Sequence, residues 1–122
     1  MDEGAEAKRR ARRALATIRD NARLARSFAR GMDATTLAAD RRTAYAVTRA
    51  LELIAEAARR LPQTLCDRHP SVPWSAVRSA GNLPEGVGEG EIARRLVVTI
   101  AETLPSLLEA VEAELAGMAS GD

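Results

Sequence analysis

His69 is the only histidine in the 122 residues, so one imidazole is available for proton transfer near neutral pH and a two-imidazole metal site within one chain is excluded. It lies between Arg68 and Pro70 in a connection, where a structural role is the plainer expectation. Glu52 and Glu56 sit one helical turn apart. Glu52 is expected to pair with Arg49 in solvent, and Glu56 to be partly buried beside an apolar seam. A di-metal carboxylate bundle needs Glu-x-x-His on two helices, and the chain has none. Cys66 is alone, which removes an internal disulfide and a thiolate metal site. The run Gly86-Val87-Gly88-Glu89-Gly90 has the glycines of a phosphate loop but no preceding strand and no Lys-Ser/Thr after it. No Ser/His/Asp grouping is visible, so neither a metal nor a cofactor is expected. Lys8, Arg9, Arg10, Arg12 and Arg13 form a dense cationic run. Nucleic acid is one reading of it, but no aromatic interleaves to stack on bases, and a solvated helix start is the plainer one.

The elements that must position these groups are helical. From Arg41 to Leu61 the apolar positions Ala44, Val47, Leu51, Ile54, Ala58 and Leu61 recur at spacings of three and four, one narrow stripe on one helix face. Asp40 precedes it as N-cap, and Pro62 ends it near Leu61. A first helix is expected to start within residues 3–8 and end at Arg30, with Gly31 just past it. Its seam is Leu15, Ile18, Ala22, Ala25 and Ala29. Residues 32–40 read as a helical turn capped by Asp33 with Leu37 tucked under the bundle. Residues 63–68 make a further turn. Pro73 opens a short helix through Ala80 whose Trp74 folds back as an anchor. Residues 81–90 are a loop. The pattern resumes at Ile92, Leu96, Ile100 and Leu104. Pro105 then starts a last helix bearing Leu108, Val111 and Leu115, which ends at Gly117 before a short frayed tail over 118–122. The fold class is all-α: an antiparallel, four-helix-type bundle with short extra helices in one domain over 1–122.

Composition agrees. Aromatics are 2% of the chain, so the core is aliphatic. The net charge of +1 conceals a basic first helix and an acidic last one. There is no secretory-type apolar leader and no run near the roughly 20 residues of a membrane span, so no membrane is involved and a cytoplasmic location is expected.

The order Asp40, Tyr45, Arg49-Ala-Leu-Glu-Leu-Ile, Glu56-Ala, Leu61-Pro62, His69-Pro70, Pro73-Trp74, with Leu104-Pro105 near the end, resembles the HepT-like family of the HEPN superfamily of helical ribonucleases. The resemblance runs from about Leu15 to Leu115. It implies a homodimeric helical bundle, HEPN-like in fold, that acts as the toxin of a toxin–antitoxin pair. Such toxins cut RNA without a metal, and their partner is a minimal nucleotidyltransferase antitoxin.

The family's motif is Arg, four to six residues, His, any residue, Tyr. Aligned on Trp74 and Asn82, the histidine position falls on Gly86, the tyrosine on Gly88, and the arginine on Gly81 or Glu85; only Asn82 survives. Metal-free cleavage needs a proton carrier and a cation at the phosphate, and Gly and Glu supply neither. No catalytic residue is therefore assigned. The expectation is a family member with weak or no ribonuclease activity that binds a nucleotidyltransferase or its own copy. Two alternatives stand beside it. One is a working ribonuclease using Arg78, Asn82 and His69 as cleft residues. The other is a nucleotide- or RNA-binding module in which the basic first helix supplies affinity.

Overall fold

The computed structural model describes residues 2–121. Every regular element is helical: α1 (Glu3–Phe28), α2 (Ala34–Ala39), α3 (Arg41–Ala58), α4 (Gln63–Asp67), α5 (Trp74–Arg78), α6 (Glu89–Val98), a π turn (Thr99–Thr103) and α7 (Leu104–Gly121). The all-α bundle expected from the periodicity is the fold observed. α1 packs on α3 and α7, and α2 packs on α6.

Local chemistry explains the starts and stops. The Asp33 carboxylate accepts the Thr36 N–H at 2.8 Å while the Thr36 hydroxyl accepts the Asp33 N–H at 2.9 Å, a reciprocal cap on α2. Asp40 caps α3 through Thr43, bonding its N–H at 3.0 Å and its hydroxyl at 2.7 Å. These bonds hold both carboxyls below the usual carboxylate range. Gly31, at φ +76, turns the chain after α1, where a side chain would be strained.

The core is the expected aliphatic seam. Leu15, Ile18, Ala22 and Ala25 of α1 meet Val47, Leu51, Ile54 and Ala57 of α3, all fully buried. Alanines on both faces let the helices close up, and the Leu and Ile side chains supply the burial, about 1.5–3 kcal/mol each. Trp74 packs against this core, and its Nε1–H donates to the carbonyls of His69 (3.0 Å) and Cys66 (3.1 Å), which ties α5 to the end of α4.

The structure corrects several expected details. α1 ends at Phe28 rather than Arg30, and α3 at Ala58 rather than Leu61, because each closes in tight turns before its breaker. Glu56 is exposed rather than partly buried: it points off the seam toward Arg60, 3.1 Å away. Trp74, not Pro73, is the first residue of α5, which closes at Arg78 instead of Ala80. The loop expected over residues 81–90 stops at Gly88, the N-cap of α6, and the last two segments form one helical run from Glu89 to Gly121. Pro105 has no N–H to give the fourth carbonyl back, and its ring crowds that carbonyl. The helix widens there, and the Leu104 N–H bonds the Thr99 carbonyl in π fashion. The extra residue rotates the seam, so that Leu107 and Ala110 join the core while Ile100 is only half-buried. Residues 118–121 are helical instead of frayed, with Met118 packed on the core; Asp122 lies outside the described residues.

Candidate functional site

Residues 79–89 lie along the exposed face of α3, and each contact has a local cause. The Arg78 carbonyl, at the end of α5, accepts from Arg59 Nη1 at 2.8 Å, which pins this segment to the end of α3. Three residues on, Gly81 presses its backbone onto α3. A Cβ there would lie 2.6 Å from Glu52 Cγ and 2.8 Å from Glu52 Cα, closer than real side chains come. The Asn82 N–H closes a turn onto the Ser79 carbonyl at 3.0 Å. The chain turns again at Gly86, whose φ is +76, and reaches the start of α3, where Glu89 pairs with Arg41 at 3.2 Å.

Between this segment, α3 and α6 lies a groove of about 470 Å³. Arg41, Tyr45 and Glu52 line its α3 side, with Leu83 and Ile92 opposite. Tyr45 is 68% exposed, high for an aromatic ring in a chain with so few. The Arg41 guanidinium stands over its ring at 5.9 Å and donates to its hydroxyl at 3.4 Å. That hydrogen bond, then the charge of Glu89, raises the Arg41 pKa further. The groove's cations are already partnered, since Arg49 lies 3.5 Å from Glu52 as expected.

The sequence candidates are not brought together here. Among the described residues no hydrogen bond or ion pair joins any two of His69, Arg78 and Asn82. Asn82 is exposed in its turn. Arg78 turns its Nη2 toward the Cys66 sulfur at 3.7 Å. Burial pushes the Cys66 thiol up, Arg78 only partly offsetting it, so this is a protonated, unreactive cysteine. His69 Nε2 donates to Glu114 of α7 at 2.6 Å, while Arg68 grips the same carboxylate with two bonds, at 2.8 and 3.1 Å. These bonds form a clamp between the α4–α5 connection and α7.

The clamp has a pH signature. The Arg68 hydrogen bonds foremost, then that of His69, hold the Glu114 carboxyl below its ordinary range despite its partial burial. A depressed carboxyl contributes stability above its unfolded pKa and loses it as pH falls through the folded value. The stability difference between the parent and Glu114→Gln is therefore expected to be full near neutrality and to shrink below about pH 4. Urea unfolding across pH measures it, and a difference constant from neutral pH to pH 3 would refute the clamp. Comparing the two chains cancels Asp33 and Asp40, which titrate in the same acid window with the same sign.

Arg41, Tyr45, Leu83, Glu89 and Ile92 were not legible as a group from the sequence. The available signal was Arg41, Tyr45 and Arg49 at four-residue spacing, an aromatic on the polar face of α3. Among the described residues no three His, Cys, Asp or Glu side chains converge as a metal-holding group, and no helix is long and apolar enough to cross a membrane.

Comparison with known proteins gives this geometry its setting. The model of the Ribonuclease HepT-like family matches residues 18–83, from within α1 through α3, α4 and α5 to the groove-lining Leu83. A protein named "Probable ribonuclease HepT" from Thermococcus cleftensis is 31% identical over 93 residues, covering 76% of this chain and 84% of the relative. The chain belongs to the HepT-like ribonuclease family. The family match stops short of Glu85, Gly86 and Gly88. No solved structure matches the chain.

Proposed function

We propose that this protein is a toxin-type HepT-like chain that keeps the ribonuclease scaffold while its RNA cleavage is weak or absent. Its partners on this reading are a second copy of itself and a nucleotidyltransferase-type antitoxin, in the cytoplasm. The observation that carries the reading is the loop over α3. Where the family motif needs a guanidinium, an imidazole and a phenol, this chain has Gly81 or Glu85, Gly86 and Gly88. Glu85 also brings negative charge to the place where a scissile phosphate would sit. His69 gives no replacement by position, because no Arg lies four to six residues before it, and its Nε2 is bonded to Glu114. The scaffold itself supports partner binding: the exposed Tyr45 and the groove beside it offer an apolar surface rimmed by both charges.

A metal-free cleavage assay on total tRNA tests it, comparing the parent with Glu85→Arg, Gly86→His, Gly88→Tyr. Restored acid–base assistance is expected to raise cleavage by about 10²–10⁴. Gly86→His must be tolerated at φ +76, so the variant's circular dichroism is read alongside. A parent that already cuts as fast as the folded variant would sink the reading. Co-purification with a nucleotidyltransferase encoded beside it tests the partner; persistent absence of a complex on size exclusion would remove that half.

A further inference from the structure

We propose that a second groove, between α1 and the residues just past α3, binds the phosphodiester backbone of single-stranded RNA. It measures about 520 Å³ and is lined by Arg10, Arg13, Ala14 and Thr17 of α1 and by Arg60. Every charged residue lining it is an arginine, and the guanidinium fork suits phosphate oxygens.

The state of these arginines favours an anionic ligand. Arg13 has no carboxylate partner among the described residues. Arg10 reaches Glu6 only at 3.9 Å, while Arg9 takes that carboxylate at 2.7 Å. Arg60 pairs with Glu56 at 3.1 Å, but both side chains are more than half exposed, and such a pair exchanges readily for a phosphate. The groove over α3 differs, since its Arg41 and Arg49 are matched by Glu89 and Glu52. Positive charge is thus in excess at this groove and balanced at the other.

The cationic run is also a poor way to build a helix. Arg9 and Arg13 are like charges four apart, an arrangement that destabilises isolated helices. The apolar seam of α1 needs none of them, since Ala11, Ala14 and Leu15 are the buried residues there. With no aromatic beside it, the groove has nothing to stack a base on, so the backbone is what it reads and sequence preference is weak. Three arginines spread along one groove of about 520 Å³ suit a chain of phosphates rather than a single free one. Because the readout is binding rather than cleavage, this site stands or falls separately from the loss of catalysis.

The test is fluorescence anisotropy with a fluorescein-labelled single-stranded oligoribonucleotide of mixed sequence, titrated over a range of potassium chloride. Arg10→Gln, Arg13→Gln, Arg60→Gln is compared with the charge-matched Arg26→Gln, Arg30→Gln, Arg42→Gln, whose side chains are exposed and off the groove. The groove triple is expected to lose about 2 from the slope of log K against log salt, roughly 0.7 per phosphate contact, and about tenfold or more in affinity near ~0.1 M salt. Arg13→Gln alone, which breaks no ion pair, is expected to lose about 0.7 of slope and guards against misfolding of the triple. Equal losses in both triples would overturn the groove in favour of net charge. Complete displacement of the oligonucleotide by millimolar inorganic phosphate would overturn RNA in favour of a small-phosphate site.

Discussion

Gly81→Ala is expected to destabilise the protein by about 1–3 kcal/mol, and Gly81→Arg to reach or exceed the top of that range. The reason is space, not backbone angle. Among the described residues only Gly31 and Gly86 have positive φ, whereas Gly81 has conventional geometry but no room: an added Cβ meets Glu52 at Cγ, Cα and N. The side chain could swing away; the backbone of a central helix turn cannot. The segment must then lift off α3, exposing the groove face of Leu83. Gly88→Ala is the internal control, since a Cβ there meets nothing and its φ of −72 suits any residue. It is expected to change stability by less than about 1 kcal/mol, because the gain from a less flexible unfolded chain is offset by replacing glycine with alanine at the N-cap of α6. Urea midpoints of the variants decide the matter. A Gly81→Ala loss no greater than that of Gly88→Ala would mean the close approach to Glu52 is not a constraint.

This has a consequence for the motif. In the register that puts the motif arginine at Gly81, the guanidinium cannot return by substitution alone, because the loop sits where its side chain would start. The experiment on catalysis therefore uses Glu85 for the arginine. Glu85 is exposed and carries no such packing.

Leu51→Ala is expected to cost about 2–5 kcal/mol, the largest stability loss from any single truncation proposed for this chain. Leu51 is completely buried at the centre of α3, between Val47 and Ile54 and against the seam of α1. Its neighbours Ala50, Ala55, Ala57 and Ala58 are small and already in contact with other helices, so they cannot swell into the cavity. The large ring packed on this core, Trp74, is held by its hydrogen bonds to the Cys66 and His69 carbonyls and is not free to shift into the space. A domain of this size has roughly 5–15 kcal/mol of stability, so the loss would appear as a large drop in the urea midpoint with little change in slope. A loss below about 1 kcal/mol would mean that α3 is not the element the core is built on.

The helices were legible because they are set by neighbours along the chain. Spacings of three and four gave the seams of α1 and α3, and every seam residue named for α1 is buried. Asp33 and Asp40 declared their caps by standing just before the helical runs, and Gly31 its turn through its freedom at positive φ. Family membership was legible for the same reason, as a string of residues in order. The π turn was within reach of the sequence, because Pro105 removes a known hydrogen bond, but only packing shows that the helix absorbs the defect instead of stopping.

What the sequence by itself determined about this protein is therefore its all-α class, its apolar seams and its family. Tertiary structure alone decided the rest. It placed Gly81 on Glu52, joined His69 and Arg68 to Glu114 more than forty residues away, and closed one groove with Arg41 and Glu89. It also set Arg60 beside Arg10 and Arg13. Helix period and capping are short-range forces that read out within about one turn. The grooves depend on which faces meet when the helices pack, and no local spacing encodes that.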